Sequence, residues 1–383
     1  MTQGGWRLSA LWRLSRSAMH DLAADQPRRF HLLDGVRALA AVAILIYHYQ
    51  HFFIPIGGLR PVGAFARGPL ETVLGDLVWR GYLAVPVFWM ISGFVFSRAY
   101  LPAPTGAATF TRNRLARLYP LHLLTLVAVA ALQVLCIARF GESQIYRNTD
   151  LYHFALHLAF ASNWGFESGY AFNAPIWSVS VEILIYAAFW LCHRRLFSFG
   201  VVLPLLVAAA FGALLWHFPQ NRIAQCGYFF FVGAALYLIY SPVRQTGWPL
   251  AVLALAMIAG AVPILAWSDP GLLKYLGVPL VFGGLLLLLA IAETRVPKRA
   301  HRPLGALGDS SYGLYLWHIP VQLGLFLAFG AGLARAAESW AFLAGYLAIV
   351  IAIAWAGFVG YERPMQRWLR GRSAKARPHA AAP

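Results

Sequence analysis

Four stretches of this 383-residue chain carry groups whose types and spacing could do chemistry. The first, LDGVRALAAVAILIYHY at 33–49, holds Arg37 and His48. On a helix, eleven positions bring the chain back to the same face, about 16 Å further along the axis. Asp34, three residues before Arg37, is spaced to pair with it. A neutral, buried imidazole can serve as a general base near neutral pH. The competing reading of His48 is a ring satisfied by a nearby backbone group or hydroxyl. The second stretch, RNRLARLYP at 112–120, puts Arg114 and Arg117 on one helix face with Arg112 close by. Guanidinium forks grip phosphate oxygens bidentately, although topology-setting charge or anionic lipid would explain the same cluster. The third, PIWSVSVEILIY at 175–186, holds Glu182 with Ser178 one turn before it and Tyr186 one turn after. An intramembrane carboxylate there could orient an imidazole, bind a sugar hydroxyl or pair with an arginine. The fourth, SSYGLYLWHIP at 310–320, sets Ser311, Tyr315 and His318 on one stripe, which either lines a polar cavity or bonds helix to helix. His122 and His217 read as edge or packing residues.

The elements that must position these groups are membrane helices. Hydrophobic residues make up 60% of the chain and charged residues only 12%, against about 25% charged in an ordinary soluble domain. A bilayer accommodates that composition, and ten apolar runs approach the ~20 residues a spanning helix needs. They lie near 33–53, 78–99, 118–138, 175–193, 196–216, 223–240, 248–267, 275–292, 310–330 and 340–361. The apolar piece at 150–163 is short for a span and reads as interfacial or re-entrant. With the N-terminus placed inside, the larger share of the 31 Lys and Arg falls in the inside segments. This is the bias that sets orientation, and it predicts that both termini are cytoplasmic. The expected fold is therefore an all-α polytopic membrane bundle. Residues 1–30 form a cytoplasmic basic tail, 31–365 the transmembrane domain and 366–383 a second cytoplasmic basic tail. No cleavable signal peptide is expected. Trp6, Leu8, Leu11, Trp12 and Leu14 suit either one side of an interfacial helix or part of a disordered tail.

Several function classes drop out. The net charge of +17 does not indicate nucleic acid, since the basic residues sit in particular loops and not along one stripe. Cys136, Cys192 and Cys226 are read as small packing residues, and no metal site is expected. There is no Walker loop and no dinucleotide-binding turn. An enzyme with these residues must receive its group already activated.

Six motifs occur in order: the Arg37–His48 stretch, FWMISGF at 88–94, RNRLARLYP, WSVSVE at 177–182, SYGLYLWH at 311–318 and YERP at 361–364. Together the chain resembles the acyltransferase 3 family of integral-membrane acyltransferases over about residues 30 to 365. The resemblance implies transfer of an acyl group, usually acetyl from cytoplasmic acetyl-CoA, to sugars of exported polysaccharides, lipopolysaccharide, Nod factors or some antibiotics. It implies catalysis at Arg37 and His48, a CoA contact at Arg112, Arg114 and Arg117, and a part for Glu182. Some members carry a hydrolase-like domain after the membrane part, and none is expected here beyond YERP. No permanently bound cofactor is expected. The partners are acyl-CoA, a carbohydrate acceptor and membrane lipid, in the inner membrane, and a homo-oligomer is allowed for.

The chemistry suits these residues. A thioester needs no nucleotide, His48 can accept the acceptor's proton, and the oxyanion could be met by backbone N–H groups around Ser92–Gly93 or by the Tyr315 hydroxyl. Asp34, Ser92, Ser178, Tyr315 and His318 are the candidate cavity-lining residues. His48 could act directly or carry the acyl group itself. The rival class is a proton-coupled transporter or flippase, for which buried Arg, His and Glu would serve equally on physics alone.

Overall fold

The computed structural model describes residues 27, 29–56, 58, 68–100, 105–196, 199–244, 246–266 and 269–371. The expected interfacial piece around Trp6 and Trp12 lies outside these residues, as does the basic segment after Gly371. Among the described residues the chain is helical, and its one β-type contact is an isolated bridge between Asn148 and Ala171.

The main helices are α1 (His31–His48, continued as a 3-10 turn over Tyr49–Phe53), α2 (Ala84–Tyr100), α3 (Ala107–Phe140), α4 (Leu151–Leu158), α5 (Trp177–Leu196) and α6 (Val202–His217). They are followed by α7 (Arg222–Val243), α8 (Trp248–Ala266), α9 (Val278–Ala292), α10 (Lys298–Phe329), α11 (Trp340–Gly357) and α12 (Arg363–Gly371). Nine helical segments among the described residues are long and apolar enough to cross a membrane, and α6 is a shorter apolar helix of 16 residues. Each of the ten expected runs has its helix. The apolar piece at 150–163 becomes the eight-residue α4, too short to span. Residues 366–371, expected to belong to the basic tail, form part of α12.

The chain divides into two compact units. One takes the described residues up to Arg37, then Leu83–Thr105 and Val181–Gly308; the other takes Ala38–Tyr82, Gly106–Ser180 and the chain from Asp309 onward. Three helices, α1, α5 and α10, run through both.

The first unit is built on the crossing of α2 and α7. A Cβ on Gly93 would lie 1.8 Å from the Phe230 carbonyl oxygen, and one on Gly233 would lie 2.0 Å from that of Met90. Lipid offers no hydrophobic drive for helices to associate, so such backbone approach through small residues supplies the contact. Around it Phe94 packs on Tyr237 and Tyr240, and Phe96 stacks on Tyr186 at 4.1 Å between ring centroids. The start of α1 is tied down by Glu293, whose carboxylate accepts from the His31 and Leu32 backbone N–H groups at 2.8 and 3.0 Å. It thereby satisfies two donors that a helix start leaves open.

The second unit packs the later part of α10 with α3, α4, α11, α12 and the loop between α4 and α5. Tyr312 donates to the Leu118 carbonyl at 3.0 Å and Tyr361 to that of Pro120 at 3.3 Å. Pro120 sits inside α3. A proline leaves the carbonyl four residues earlier without its helical donor.

Candidate active site

The second unit brings His48 and His318 together. His48 closes α1, His318 lies within α10, and His318 Nε2 is 3.0 Å from His48 Nδ1 with the rings stacked. The proton positions follow from the partners. His318 Nδ1 lies 2.8 Å from the Tyr315 carbonyl oxygen. A carbonyl can only accept, so His318 Nδ1 carries the hydrogen and Nε2 of the neutral ring is the acceptor. His48 Nδ1 must then donate, which leaves the lone pair of His48 on Nε2. A histidine so arranged is a base aimed by its neighbour.

The surrounding polar groups hold this pair in place. Gln322, one turn after His318, donates to the His48 carbonyl at 3.0 Å and to the Tyr346 hydroxyl at 3.2 Å. The His48 carbonyl stands where α1 tightens into a 3-10 turn, and carbonyls at helix ends need such outside donors. The Gln322 side-chain oxygen accepts from His51 Nδ1 at 2.9 Å, and His51 stacks on His48 at 5.0 Å between centroids. Ser178 and Tyr315 share a hydrogen bond of 2.9 Å. The Tyr315 hydroxyl gives its hydrogen to the Pro175 carbonyl, so Ser178 is the donor toward Tyr315. Asn173, fully buried, fastens the turn before α5 to the Leu316 carbonyl at 3.0 Å.

The structure bears on both expectations about the oxyanion. Ser92 and Gly93 lie in the interior of α2, where backbone N–H groups are spent on carbonyls four residues back. Gly93 also packs against the Phe230 carbonyl, while Ser92 accepts from Tyr186 at 3.4 Å. The Tyr315 hydroxyl is committed to Pro175, so it can face an oxyanion only by giving up that bond.

The remaining candidates fall in two places. In the first unit, Asp34 takes Arg29 as its close partner, and Arg29 also donates to the Gly305 carbonyl at 2.7 Å. The expected Asp34–Arg37 pair exists at 3.9 Å, beyond hydrogen-bond range. Glu182 is buried in α5 and acts electrostatically on Cys226 of α7. The hydrogen-bond partner of the His48 ring is His318. In the second unit, Arg112, Arg114 and Arg117 occupy the first turns of α3. Cations at a helix N-terminus oppose the macrodipole, whereas an anion there is favoured by both the dipole and the arginines. Arg117 donates to the Asp309 carbonyl at 3.3 Å. Glu362 of the YERP motif is almost fully buried, beside Gly313, in the field of Arg117. Asp309 and His318 are nine positions apart on α10, so the Arg117 contact lies about 14 Å along the axis from the histidine pair.

Sequence reasoning passed over four residues of this constellation: His51, Gln322, Tyr346 and Glu362. Gln322 and Glu362 carried a signal, since each is a polar group within an apolar run. His51 follows His48 by one turn. Tyr346 carried none.

A sequence model described as an acyltransferase domain matches residues 30–359. The chain is 25% identical over 358 residues to BcsY, described as a membrane-bound transacylase, from Komagataeibacter xylinus, covering 86% of this chain and 81% of that one. It is 29% identical over 170 residues to the acyltransferase MdmB of Streptomyces mycarofaciens, covering 43% and 40%. It is 25% identical over 338 residues to the peptidoglycan O-acetyltransferase OatA of Listeria monocytogenes, covering 76% of this chain and 49% of that one. The chain thus spans about half the length of OatA. No solved structure matches it.

Proposed function

This chain belongs to the acyltransferase 3 family, and on that premise we propose that it moves an acyl group, acetyl in the first instance, from cytoplasmic acyl-CoA to a hydroxyl of an exported or lipid-linked carbohydrate. The observation that carries the reading is the hydrogen bond between His48 and His318, which leaves a basic nitrogen on His48 within a multi-pass membrane protein. The acceptor hydroxyl attacks the thioester carbonyl carbon, a C–O bond forms, and the C–S bond breaks. The hydroxyl proton goes to His48 Nε2 and from there to the departing thiolate. Positive charge that develops on His48 is shared through its Nδ1–H with His318, whose own Nδ1–H rests on the Tyr315 carbonyl.

The donor fits the second unit by chemistry and reach. Its phosphates suit Arg112, Arg114 and Arg117 at the start of α3. Its thioester sits at the far end of a long pantetheine arm, and the histidine pair lies deeper along α10. In this reading Arg37 and Glu182 belong to the first unit, where Glu182 is part of the framework. Both termini are cytoplasmic, in the inner membrane; a periplasm-active reporter fused after Pro383 is inactive if this is right and active if the orientation is reversed.

The direct test incubates purified protein with acetyl-CoA labelled in the acetyl group and with candidate glycans. Label on sugar, dependent on protein, is the expected result. Hydrolysis alone, or label from a non-CoA donor only, would overturn the assignment of donor.

A further inference from the structure

The loop between α3 and α5 carries a second set of reactive groups, outside the His48 cluster. Asp150 precedes α4 and accepts from His153 Nδ1 at 2.8 and 2.9 Å through its two oxygens. A carboxylate can only accept, so His153 Nδ1 holds the hydrogen and the lone pair lies on Nε2. That nitrogen is 3.0 Å from the Ser168 hydroxyl oxygen. His153 is 5% exposed, whereas Ser168 and Gly169 are open to the surroundings. A buried imidazole fixed by a carboxylate and facing an exposed hydroxyl is the arrangement that activates a nucleophilic serine.

The neighbours of Ser168 suit acyl chemistry. Gly169 has φ +137, a conformation that side chains disfavour, and a Cβ there would lie 3.2 Å from the Asn148 side-chain nitrogen. The Asn148 side-chain amide thus lies against the backbone of the residue that follows Ser168. Tyr152, Phe166 and Tyr170, near His153 and Ser168 in the chain, are exposed, and their rings offer flat faces to a sugar. The loop is also connected to the intramembrane histidines. His51, stacked on His48, meets the Tyr146 ring at 5.7 Å between centroids, and Tyr146 meets Tyr170 at 6.0 Å. Tyr170 is two residues from Ser168.

We propose that Ser168, His153 and Asp150 form a second acyl-transfer centre, in which Ser168 holds the acyl group as an ester and passes it to a carbohydrate hydroxyl. The proposal rests on the acyl-transfer reading above and extends it to a relay. In the first step the Ser168 oxygen attacks the carbonyl carbon of an acyl ester, thioester or acyl-imidazole. The bond to the donor's leaving atom breaks, and His153 Nε2 carries the serine proton to that atom. In the second step the sugar hydroxyl attacks the Ser168 ester, His153 takes its proton, and the Ser168 C–O bond breaks with that proton returned to Ser168. The sum is one acyl group moved and one hydrogen exchanged. Asp150 is held below the usual carboxylate range by the His153 backbone N–H and then by its side chain, so it stays ionised to orient the imidazole.

The same hydrogen bonds would also arise if Asp150 merely capped α4, whose third backbone N–H it accepts. Labelling separates the two. The full chain in detergent is treated with p-nitrophenyl acetate, quenched and digested, and acetyl on the Ser168 peptide is measured. Acetylation of Ser168 is expected, lost in Ser168→Ala, retained as a thioester in Ser168→Cys, and slowed about 10²-fold or more in His153→Gln. Asp150→Asn keeps a good helix cap and should still slow labelling. Absence of acetyl on Ser168, or equal labelling in His153→Gln, would overturn the proposal. This probe contains no CoA, so failure of the acyl-CoA assignment would leave the labelling result unchanged and the two failures can be told apart.

Discussion

The histidine pair and the arginine cluster belong to one unit of the molecule, yet their polar atoms are satisfied in opposite ways. Around His48, the ring of His318 is bonded at both nitrogens, Gln322 bonds three partners, and His51 has its own acceptor. Around the start of α3, Arg112 Nε and both carboxylate oxygens of Glu362 are buried without a hydrogen-bond partner among the described residues. Buried polar groups are costly to leave unpaired. The first arrangement is preorganised, as a site for proton transfer must be. The second leaves polar capacity for a ligand to fill, as a binding mouth does. The difference fits the proposal of chemistry at His318 and donor binding near Asp309, two places along α10.

The largest effect is expected at His48. Replacing it with alanine should lower the rate of acyl transfer about 10²–10⁴-fold while the protein inserts and accumulates normally. Turnover near the original rate with labelled acetyl-CoA would remove His48 from the chemistry. At the other end, Arg112→Ala with Arg117→Ala should raise KM for acyl-CoA about tenfold or more and spare kcat, because charged hydrogen bonds contribute about 1.5–3 kcal/mol each. Arg117→Lys should rescue only in part, since an ammonium lacks the planar fork. A double variant with unchanged KM would reduce the cluster to a topology signal. The smallest effect is expected at Ser178→Ala, which removes one neutral hydrogen bond to Tyr315 and should cost about 1 kcal/mol of stability. A thermal-shift loss as large as that of a core cavity would mean that Ser178 does more than steady Tyr315.

The helices were legible in the sequence because a bilayer demands length and apolarity from each span separately. The runs at 33–53, 223–240 and 340–361 could be read without knowing their neighbours. The individual chemical groups were legible for the same reason, since a histidine or glutamate inside an apolar run stands out. Their partners were not. His48 and His318 lie 270 positions apart, and helical periodicity assigns each to a stripe without saying which stripes meet. Their hydrogen bond couples the two stripes in a way that periodicity does not reveal. The oxyanion expectation at Ser92–Gly93 failed for a local reason: a glycine inside an expected span already has its N–H engaged, and its small size serves helix crossing. Asp34 shows the same limit in miniature, because spacing pointed to Arg37 while Arg29, on the segment before α1, takes the closer position.

In the proposed mechanism His318 acts through His48. A double-variant cycle measures this: acyl-transfer rates of the original enzyme, His48→Ala, His318→Gln and the combination, each at saturating acyl-CoA and equal folded protein. Residues that work as a unit are strongly non-additive. His318→Gln should therefore slow the original enzyme about 10²-fold and slow the His48→Ala enzyme less than about twofold. Equal slowing in both backgrounds would make the two histidines independent and contradict the assignment of His48 as a base held by His318.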